Sequence, residues 1–335
     1  MLGQGAAAAA RHGSVPLTRR VIALSGGIGG AKLMLGLAQV VASEDLLVIA
    51  NTGDDFEHCG LHICPDIDTL IYTLSGRSNT EQGWGLAGET WTFMQRLRET
   101  DPQQAWFQLG DQDIQTHRFR TRSLAGGATL SEVTAALAQR FGVAATILPM
   151  SDDPVRTFVR VHRDGDEMWL PFQEYFVKHR CAPRTLGIEY RGSEQAAMQG
   201  RLAASATPDV AAVLLGPSNP YLSIDPILSI PGMAGRLRSY GAPVIAVSPI
   251  VGGAALKGPT AKIMHELGIP VDVISVARHY HGLIDGLVID HSDQDALLAI
   301  EALGIKVAVA ATVMVTLEDR VRLAQTCLEF AGRMR

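Results

Sequence analysis

The sequence has few cysteines and lacks any long apolar run. Four cysteines in 335 residues are too few for the disulfide framework of small secreted proteins, so we expect a reducing, cytoplasmic environment. No window holds about 18 or more consecutive apolar residues, so we expect no membrane-spanning helix and no membrane partner. The alanine run at residues 6–10 is followed, not preceded, by positive charge, which is unlike a signal peptide. Residues 1–19 are therefore predicted to form a disordered extension or to reflect an upstream start.

An excess of positive charge is also missing. The formal net charge is −5 and the pI is near 6.1, which argues against a nucleic-acid partner because such binding depends on a dense lysine and arginine surface. Hydrophobic residues at 47% and charged residues at 19% are typical of a globular protein. A chain of 335 residues allows one large domain or two of moderate size.

Several well-known catalytic and nucleotide-binding motifs are absent. The sequence contains no Gly-x-Ser-x-Gly segment, so nothing in it indicates a covalent nucleophile. The glycine-rich segment SGGIGGAK, residues 25–32, is not a Walker loop, because Ala31 and Leu33 replace the glycine before the lysine and the hydroxyl residue after it. It is not a dinucleotide-binding loop either, since Lys32 stands in place of the third glycine. A nicotinamide-dependent oxidoreductase is therefore disfavoured, although an acidic residue stands about twenty positions further on.

The spacing of apolar residues predicts alternating strands and helices. An apolar run at residues 20–24 precedes the glycine-rich turn, and residues 32–41 have helical spacing, which opens a βαβ unit. Further strands are predicted at residues 46–50, 144–148, 209–215, 243–247, 286–290 and 307–310, and helices at residues 66–74, 83–98, 131–141, 259–267 and 317–334. Short alternating runs at residues 156–190 are typical of antiparallel strands. We predict an α/β, Rossmann-like fold with a mostly parallel, three-layer sheet and an inserted helical and antiparallel β segment at about residues 118–205.

Residues 51–69, NTGDDFEHCGLHICPDIDT, hold the densest cluster of carboxylates. They follow the predicted strand 46–50, and ligands of open α/β sheets bind at the carboxyl ends of strands. Mg²⁺ is usually held by one or two carboxylates together with substrate phosphates. A helix-capping role would explain one aspartate of this segment, but not four. We expect metal or direct substrate binding by Asp54, Asp55, Asp66 and Asp68.

Other polar groups leave two interpretations open. Three turns after predicted strands, residues 25–32, 216–220 and 248–253, offer backbone N–H groups to phosphate, but tight packing of helix on sheet explains the glycine turn equally well. The group Asp111, Asp113 and His117, followed by Arg118 and Arg122, is either a solvated helix face or a wall for an anionic ligand.

Zinc is a weaker interpretation of the acidic segment. His58, Cys59, His62 and Cys64 lack a paired Cys-x-x-Cys element, and carboxylates dominate the same segment. We expect these four residues to belong to the scaffold.

Seven segments, in this order along the chain, resemble one family, the 2-phospho-L-lactate transferase (CofD) family of coenzyme F-420 biosynthesis. They are SGGIGGAK (25–32), NTGDD (51–55), ICPDIDTLIYTL (63–74), LGDQDIQTH (109–117), LPMSDDPVRT (148–157), GPSNP (216–220) and SPIVGG (248–253). The likeness runs from Val21 to about Thr316, and it implies a single domain over residues 20–335.

The resemblance implies a Mg²⁺-dependent transferase. Members of the family move a phosphorylated three-carbon acid from a guanosine-diphosphate-activated donor to the ribityl hydroxyl of the deazaflavin Fo (8-hydroxy-5-deazariboflavin) and release GMP. The acid is phospholactyl, phosphoenolpyruvyl or phosphoglyceryl, and no residue here decides among the three. Catalysis of this kind is mostly positioning and charge neutralisation. A cytoplasmic homodimer is expected.

The resemblance also implies roles for individual residues. Asp54 and Asp68 are expected to be the catalytic residues and the Mg²⁺ ligands, with Asp55 and Asp66 in reserve, and Asp68→Ala is expected to abolish transfer while the fold stays intact. Asp68 is alternatively assigned to the ribityl chain. Gln108 stands where the family often has a basic residue. Substrate contacts are implied for Gly26, Gly27, Gly29, Gly30, Lys32, Asn51, Thr52, Asp55, Asp66, Gln108, Asp111, His117, Ser218, Asn219, Ser248 and Gly252.

A second function remains open. A related group of Rossmann-like proteins shares the GGxGG opening and binds nucleotides or nucleotide-sugars in a non-catalytic, regulatory role. Such proteins are not expected to carry ICPDIDT and LGDQDIQTH together, so these two segments favour the transferase.

Overall fold

The computed structural model describes residues 19–204, 209–256 and 258–335, so the predicted N-terminal extension lies almost wholly outside the described residues. The strands are β1 (Arg20–Ser25), β2 (Leu46–Ala50), β3 (Phe56–His58), β4 (Leu61–Ile63), β5 (Thr146–Pro149), β6 (Arg156–Arg163), β7 (Asp166–Pro171), β8 (Arg184–Arg191), β9 (Val210–Leu215), β10 (Val244–Val247), β11 (Ile250–Val251), β12 (Ala254–Ala255), β13 (Gly286–Asp290) and β14 (Lys306–Ala310). The α-helices are α1 (Gly27–Val40), α2 (Pro65–Leu74), α3 (Thr92–Thr100), α4 (Asp113–Ala125), α5 (Leu130–Arg140), α6 (Gly200–Ala203), α7 (Asp225–Leu228), α8 (Met233–Ser239), α9 (Thr260–Glu266), α10 (Val273–His279), α11 (Leu297–Glu301) and α12 (Leu317–Arg333). Within these three ranges, no helix has the length and apolar character needed to cross a membrane.

A seven-stranded parallel sheet forms the centre of the fold, with the order β14-β13-β10-β9-β1-β2-β5. Side chains of β1 alternate between the two faces, because successive residues of a strand point to opposite sides. Val21 and Ala23 pack with α1, α2, α5 and α12, while Ile22 and Leu24 pack with α7 to α10 and with β6 and β7. The predicted three-layer, Rossmann-like α/β fold is confirmed.

The strand order reverses at β1. From β1 the chain first builds toward one edge through β2 and β5, and later starts again beside β1 with β9 and builds toward the other edge. The segments that follow β1 and β9 therefore diverge and leave a crevice at the carboxyl ends of the strands, the usual ligand position in such sheets. The acidic segment follows β2, next to this crevice.

The predicted helix at residues 83–98 is wrong in its first half. Helix α3 begins only at Thr92, because Gly83, Gly85 and Gly88 have φ values of 79°, 71° and 70°, which a right-handed helix cannot contain. Helical apolar spacing therefore predicted the helix but not its start.

The predicted insertion is divided by a strand of the main sheet. Strand β5 lies inside residues 118–205 yet pairs in parallel with β2. The antiparallel part is a separate three-stranded sheet in the order β7-β6-β8, as the alternating pattern predicted. The assignment of the whole chain to a single domain stays a prediction.

Gly36 allows α1 and α12 to pack closely. A Cβ atom at this position would lie 2.1 Å from the backbone oxygen of Arg320, and a backbone atom inside a helix cannot move aside easily. We expect Gly36→Ala to lower the free energy of unfolding by about 1–3 kcal/mol, measured by urea denaturation. The matched control is Gly235→Ala in α8, where a Cβ meets nothing within 4 Å and where alanine should stabilise the helix by up to about 1 kcal/mol. Equal stability of the two variants would contradict the prediction.

Candidate functional site

Asn51, the first residue after β2, joins two aspartates. Its Nδ2 lies 3.1 Å from Oδ1 of Asp54 and 2.8 Å from Oδ2 of Asp66, and its Oδ1 accepts a hydrogen bond of 2.8 Å from the backbone N–H of Gly53. Asn51, Asp54 and Asp66 are all buried. The loop after β2 and the first turn of α2 thus bring two carboxylates together at the crevice.

The glycine turn after β1 meets the same carboxylates. The backbone N–H of Gly27, the first residue of α1, donates a hydrogen bond of 2.6 Å to Oδ1 of Asp66. A helix N-terminus favours negative charge, and here a carboxylate of the protein itself lies there. From the loop after β9, the hydroxyl of Ser218 donates to the carbonyl oxygen of Gly26 over 2.8 Å, which holds the two diverging loops together.

Most glycines of this turn are needed for close packing. A Cβ on Gly26 would lie 2.6 Å from Cβ of Ser223, one on Gly29 would lie 2.5 Å from the backbone oxygen of Pro217, and one on Gly30 would lie 2.5 Å from two serine hydroxyls. A Cβ on Gly27, whose φ is +63°, would meet its nearest neighbour, the Ser223 hydroxyl, only at 4.0 Å. Packing therefore explains three of the four glycines, and Gly27 is the one with open space. Substrate contact at these positions stays a prediction.

The ionised forms of Asp54 and Asp66 are destabilised by burial, and a bound cation would stabilise them. Burial raises the pKa of Asp54 well above its usual value, and the charges of Asp66 and Asp55 raise it further, against the hydrogen bond from Asn51. Burial also raises the pKa of Asp66 to about 6, although hydrogen bonds from Asn51 and Gly27 oppose this. The two carboxylates accept hydrogen bonds from neutral groups, the Asn51 amide and the Gly27 backbone N–H. Two adjacent buried carboxylates held by neutral donors are a donor set that fits Mg²⁺.

Asp68 faces a different partner. Nη1 of Arg120 in α4 donates to Oδ2 of Asp68 over 3.1 Å, and Nη2 donates to Oδ1. Arg120 is completely buried. Burial would lower the pKa of Arg120, but the Asp68 carboxylate raises it above its usual value. Because a guanidinium already balances the charge of Asp68, the predicted pairing of Asp54 with Asp68 at a metal has no support from this geometry, and it stays a prediction.

His117 and Asp113 extend this ion pair within α4. Nδ1 of His117 lies 3.6 Å from Oδ2 of Asp68, and its Nε2 lies 3.3 Å from Oδ2 of Asp113. The hydroxyl of Tyr72 donates to the other oxygen of Asp113. Burial alone would raise the pKa of Asp113, but the interactions with His117 lower it. The group Asp68, Asp113 and His117 has ligand atoms within 4.8 Å of one another, yet Arg120 already supplies the cation.

One face of α4 is therefore buried and the other is solvated. Arg118 and Arg122 are exposed, as the solvated-face interpretation predicts. Residues 113, 117 and 120 share the inward face, because residues three and four apart are neighbours on a helix. This spacing was the signal by which the sequence could have identified Arg120.

Asp55, His62 and Cys64 meet at the base of the β3–β4 hairpin, with ligand atoms within 4.8 Å of one another. The Cys64 thiol donates to Oδ2 of Asp55 over 3.0 Å. Burial raises the pKa of the Cys64 thiol well above its usual value, and this thiol already donates its hydrogen to a carboxylate of the protein. His58 instead bonds a backbone oxygen at 2.9 Å, and Cys59 is exposed. This chemistry favours a scaffold role over zinc.

Two predicted contacts lie between α3 and α4. Asp111 accepts hydrogen bonds of 2.9 Å from each of the first two backbone N–H groups of α3, so it caps that helix. These bonds, and the one from Thr90 above all, lower the pKa of Asp111. The Gln108 side chain accepts a hydrogen bond of 2.7 Å from Arg98. Both side chains serve local structure here, and their substrate contacts stay predictions.

The remaining predicted contact residues, apart from Thr52, form hydrogen bonds within the protein. Ser248 accepts a hydrogen bond of 3.1 Å from the N–H two residues further on, and the Gly252 N–H donates to Asp293 over 2.9 Å. Oδ1 of Asn219 caps the turn at residues 220–224. Nζ of Lys32 donates to a backbone oxygen at residue 314 over 2.9 Å. The Thr52 hydroxyl is buried, and no hydrogen-bond partner is found for it within the described ranges.

Comparisons with known proteins agree on one family. A family model described as 2-phospho-L-lactate transferase CofD matches residues 21–322. A phosphoenolpyruvate transferase of Streptomyces griseus is 41% identical over 318 residues, which cover 94% of this chain and 99% of that protein. A 2-phospho-L-lactate transferase of Methanosarcina acetivorans is 38% identical over 305 residues, which cover 91% of this chain and 97% of that protein.

A solved structure is similar in fold. The crystal structure of a member of the upf0052 family from Bacillus halodurans has a TM-score of 0.59 and 13% sequence identity, and the match covers 94% of this chain and all of that chain. At this identity the likeness shows the fold alone.

Proposed function

Because this chain belongs to the 2-phospho-L-lactate transferase CofD family and is thereby a transferase of coenzyme F-420 biosynthesis, we propose that it moves a phosphorylated three-carbon acid from a guanosine-diphosphate-activated donor to the ribityl hydroxyl of Fo, with release of GMP. The observation that carries this proposal is the pair of buried carboxylates, Asp54 and Asp66, beside the N-terminus of α1. A non-catalytic regulator receives less support, since the relatives that match over most of their length bear transferase names. The homodimer and the cytoplasmic location stay predictions.

Asp54 and Asp66 are the residues that would hold a Mg²⁺ ion. The geometry favours Asp66 over Asp68 as the second ligand, because both oxygens of Asp68 already bind Arg120. A Mg²⁺ ion supplies neutralisation of the charge that develops on the diphosphate. Asn51 holds the two carboxylates at fixed positions through its amide. Positioning of this kind accounts for most catalysis in transfers of phosphoryl groups.

The ion pair of Asp68 and Arg120 holds in place the helical turn that carries Asp66. Asp66 and Asp68 both lie in the first turn of α2. Through its bonds to Asp68, Arg120 of α4 fixes the first turn of α2. In this position the Asp66 carboxylate of the same turn accepts hydrogen bonds from Asn51 and Gly27. Asp68 and Arg120 are therefore positioning residues in the proposed mechanism.

We propose a phosphoenolpyruvyl group as the acid that is transferred. Relatives from Streptomyces, 40–41% identical to this chain, are named phosphoenolpyruvate transferases. Those from Methanosarcina, at 36–38%, are named 2-phospho-L-lactate transferases. Sequence identity is slightly higher to the phosphoenolpyruvate transferases, and a direct assay distinguishes the two donors.

The protein is expected to convert Fo with the phosphoenolpyruvyl donor faster than with the phospholactyl or phosphoglyceryl donor. Each guanosine-diphosphate-activated donor is incubated with protein, Mg²⁺ and Fo, and the deazaflavin product is identified by mass while GMP is followed by chromatography. The control omits Mg²⁺. Product from another donor alone would overturn the choice of acid, and no product from any of the three would overturn the proposed reaction.

A further inference from the structure

A histidine and an aspartate form a hydrogen-bonded pair beside the acidic segment. His279 is the last residue of α10, and Asp225 is the first residue of α7. Nε2 of His279 lies 2.8 Å from Oδ1 of Asp225. The two side chains are 24% and 21% exposed, so the pair is open to solvent on one side. No role in the proposed site has so far involved either residue.

The backbone around Asp225 packs directly on the loop that carries Asp54. Pro226 follows Asp225, and its Cβ lies 3.0 Å from the position that a Cβ on Gly53 would take. Gly53 in turn precedes Asp54. The carbonyl oxygen of Leu222 lies 3.2 Å from Nδ2 of Asn51. The segment 222–226 therefore places Asp225 on the rim of the carboxylate cluster.

Tyr190 of β8 lies next to Asp225. Its hydroxyl donates to the carbonyl oxygen of Tyr221 over 2.6 Å and lies 3.5 Å from Oδ2 of Asp225. Burial raises the pKa of Tyr190, and the charges of Asp225 and Asp54 both raise it further. The packing of Pro226 on Gly53 and the hydrogen bond between Leu222 and Asn51 place the His279–Asp225 pair beside the segment that carries Asp54.

The hydrogen bond determines which nitrogen of His279 can take up a proton. An ionised carboxylate only accepts hydrogen bonds, so Nε2 carries the hydrogen and Nδ1 carries the lone pair. Within the three described ranges, no hydrogen-bond partner is found for Nδ1. The ring is held in place by edge contacts with Tyr221 and Tyr280, at 4.9 Å and 5.0 Å between centroids. A neutral imidazole that a carboxylate orients is the arrangement of a general base.

We propose that His279 is the general base that takes the proton from the hydroxyl of the acceptor, and that Asp225 is its positioning residue. This inference rests on the proposed function. The hydroxyl oxygen forms a bond to the phosphorus that bears the three-carbon acid. The bond from that phosphorus to the bridging oxygen breaks, and its electron pair leaves with GMP. The hydroxyl proton moves to Nδ1 of His279 and from there to solvent.

His279→Gln is expected to lower kcat by about 10²–10⁴-fold, the usual contribution of a positioned base, with little change in the affinity for Fo measured by fluorescence titration. The matched control is His281→Gln, at an exposed histidine two residues further on, which should keep wild-type kcat. Asp225→Asn should lower kcat as well, because an amide no longer selects the tautomer with the lone pair on Nδ1. A wild-type kcat in His279→Gln would overturn the inference.

The dependence of kcat on pH separates a base from a merely structural pair. The groups that face the imidazole are Asp225, Tyr221 from the segment before α7, and Tyr280, the residue that follows α10. Burial and the charge of Asp225 raise the pKa of Tyr221 to about 12 and that of Tyr280 well above its usual value, so both phenols stay neutral at acidic pH. An imidazole is a base only when neutral, so wild-type kcat should fall as the pH decreases.

Carboxylates of the acidic segment also change protonation with pH. The informative quantity is therefore the difference between the pH profiles of kcat for the wild type and the variant. We expect His279→Gln to lose a step in its acidic pH profile that His281→Gln retains. Identical profiles for all three proteins, or a loss of melting temperature in His279→Gln without loss of kcat, would leave the pair a structural contact and overturn the inference. Product formation by the wild type in the same assay tests the proposed function, so failure of the reaction and failure of the base are distinguishable.

Discussion

Asp68→Ala is expected to lower the free energy of unfolding by about 3–5 kcal/mol. The substitution leaves the guanidinium of Arg120, which is completely buried, without the carboxylate that binds both of its terminal nitrogens. Removing one partner of a buried pair costs more than the pair contributes, because the remaining charge is unbalanced. Urea denaturation of the purified variant gives the value. The sequence-based expectation that this variant keeps its fold is therefore not supported by the packing.

A double variant makes this prediction specific. Asp68→Ala combined with Arg120→Met removes both charges and fills the space of the arginine stem, so much of the lost stability should return. The control is Asp101→Ala, at an exposed position, where little change is expected. If Asp68→Ala were as stable as the wild type and only transfer were lost, Asp68 would instead act at the metal or the acceptor, as the family resemblance implied.

Asp54→Asn is expected to abolish most of the transfer activity and to leave the fold at least as stable as the wild type. Asparagine can still accept the hydrogen bond from Asn51, but it has no charge to offer to Mg²⁺. Replacing a residue that hydrogen-bonds to a metal ligand usually lowers activity or metal affinity by about 10–100-fold. Replacing a ligand itself should lower activity by more than that. We expect kcat/KM with saturating donor to fall by more than about 100-fold.

The stability of this variant follows from the sign of the pKa shift. In the folded protein the pKa of Asp54 is raised above its ordinary value, so the folded state prefers the protonated carboxyl. The ionised form therefore costs stability at neutral pH, and that cost disappears as the pH falls. Asparagine is neutral at every pH, so the melting temperature of Asp54→Asn without Mg²⁺ should equal or exceed that of the wild type.

Mg²⁺ itself provides a second readout that needs no turnover. A ligand that binds only the folded state stabilises it by about 2.7 kcal/mol at one hundred times its dissociation constant. Wild type should therefore gain melting temperature with Mg²⁺, whereas Asp54→Asn should not, and the exposed-site variant Asp101→Asn should respond like the wild type. An equal gain in wild type and Asp54→Asn would place the cation elsewhere.

Apolar spacing predicted the central sheet closely. The predicted strand 46–50 is β2, and the predicted helix 131–141 is α5 displaced by one residue, with Thr129 as its N-cap. These elements obey local rules, since buried parallel strands are continuous apolar runs and caps are short polar side chains. Helix α3 was misjudged because backbone conformation at three glycines, which side-chain spacing does not report, delays its start.

The site divides in the same manner. The sequence predicted a carboxylate-rich segment after β2 and a glycine turn after β1, and ligands of open α/β sheets bind at the carboxyl ends of strands. The packing of α1 against the loop after β9 then assigned three of the glycines to close contact and left Gly27 open. No spacing in the chain indicates that contact, since it joins residues nearly two hundred positions apart.

The sequence alone determined the family, the α/β class and the segment in which the carboxylates lie. Residues two apart on a helix point in nearly opposite directions, but the sequence-based prediction put Asp66 and Asp68 in one binding group. Only the tertiary structure decided that Asp66 turns toward Asn51 and Asp54 while Asp68 turns toward Arg120. The same holds for His279 and Asp225, which are 54 residues apart. Local patterns specify which groups a segment carries, whereas the packing of distant elements specifies which charge meets which partner.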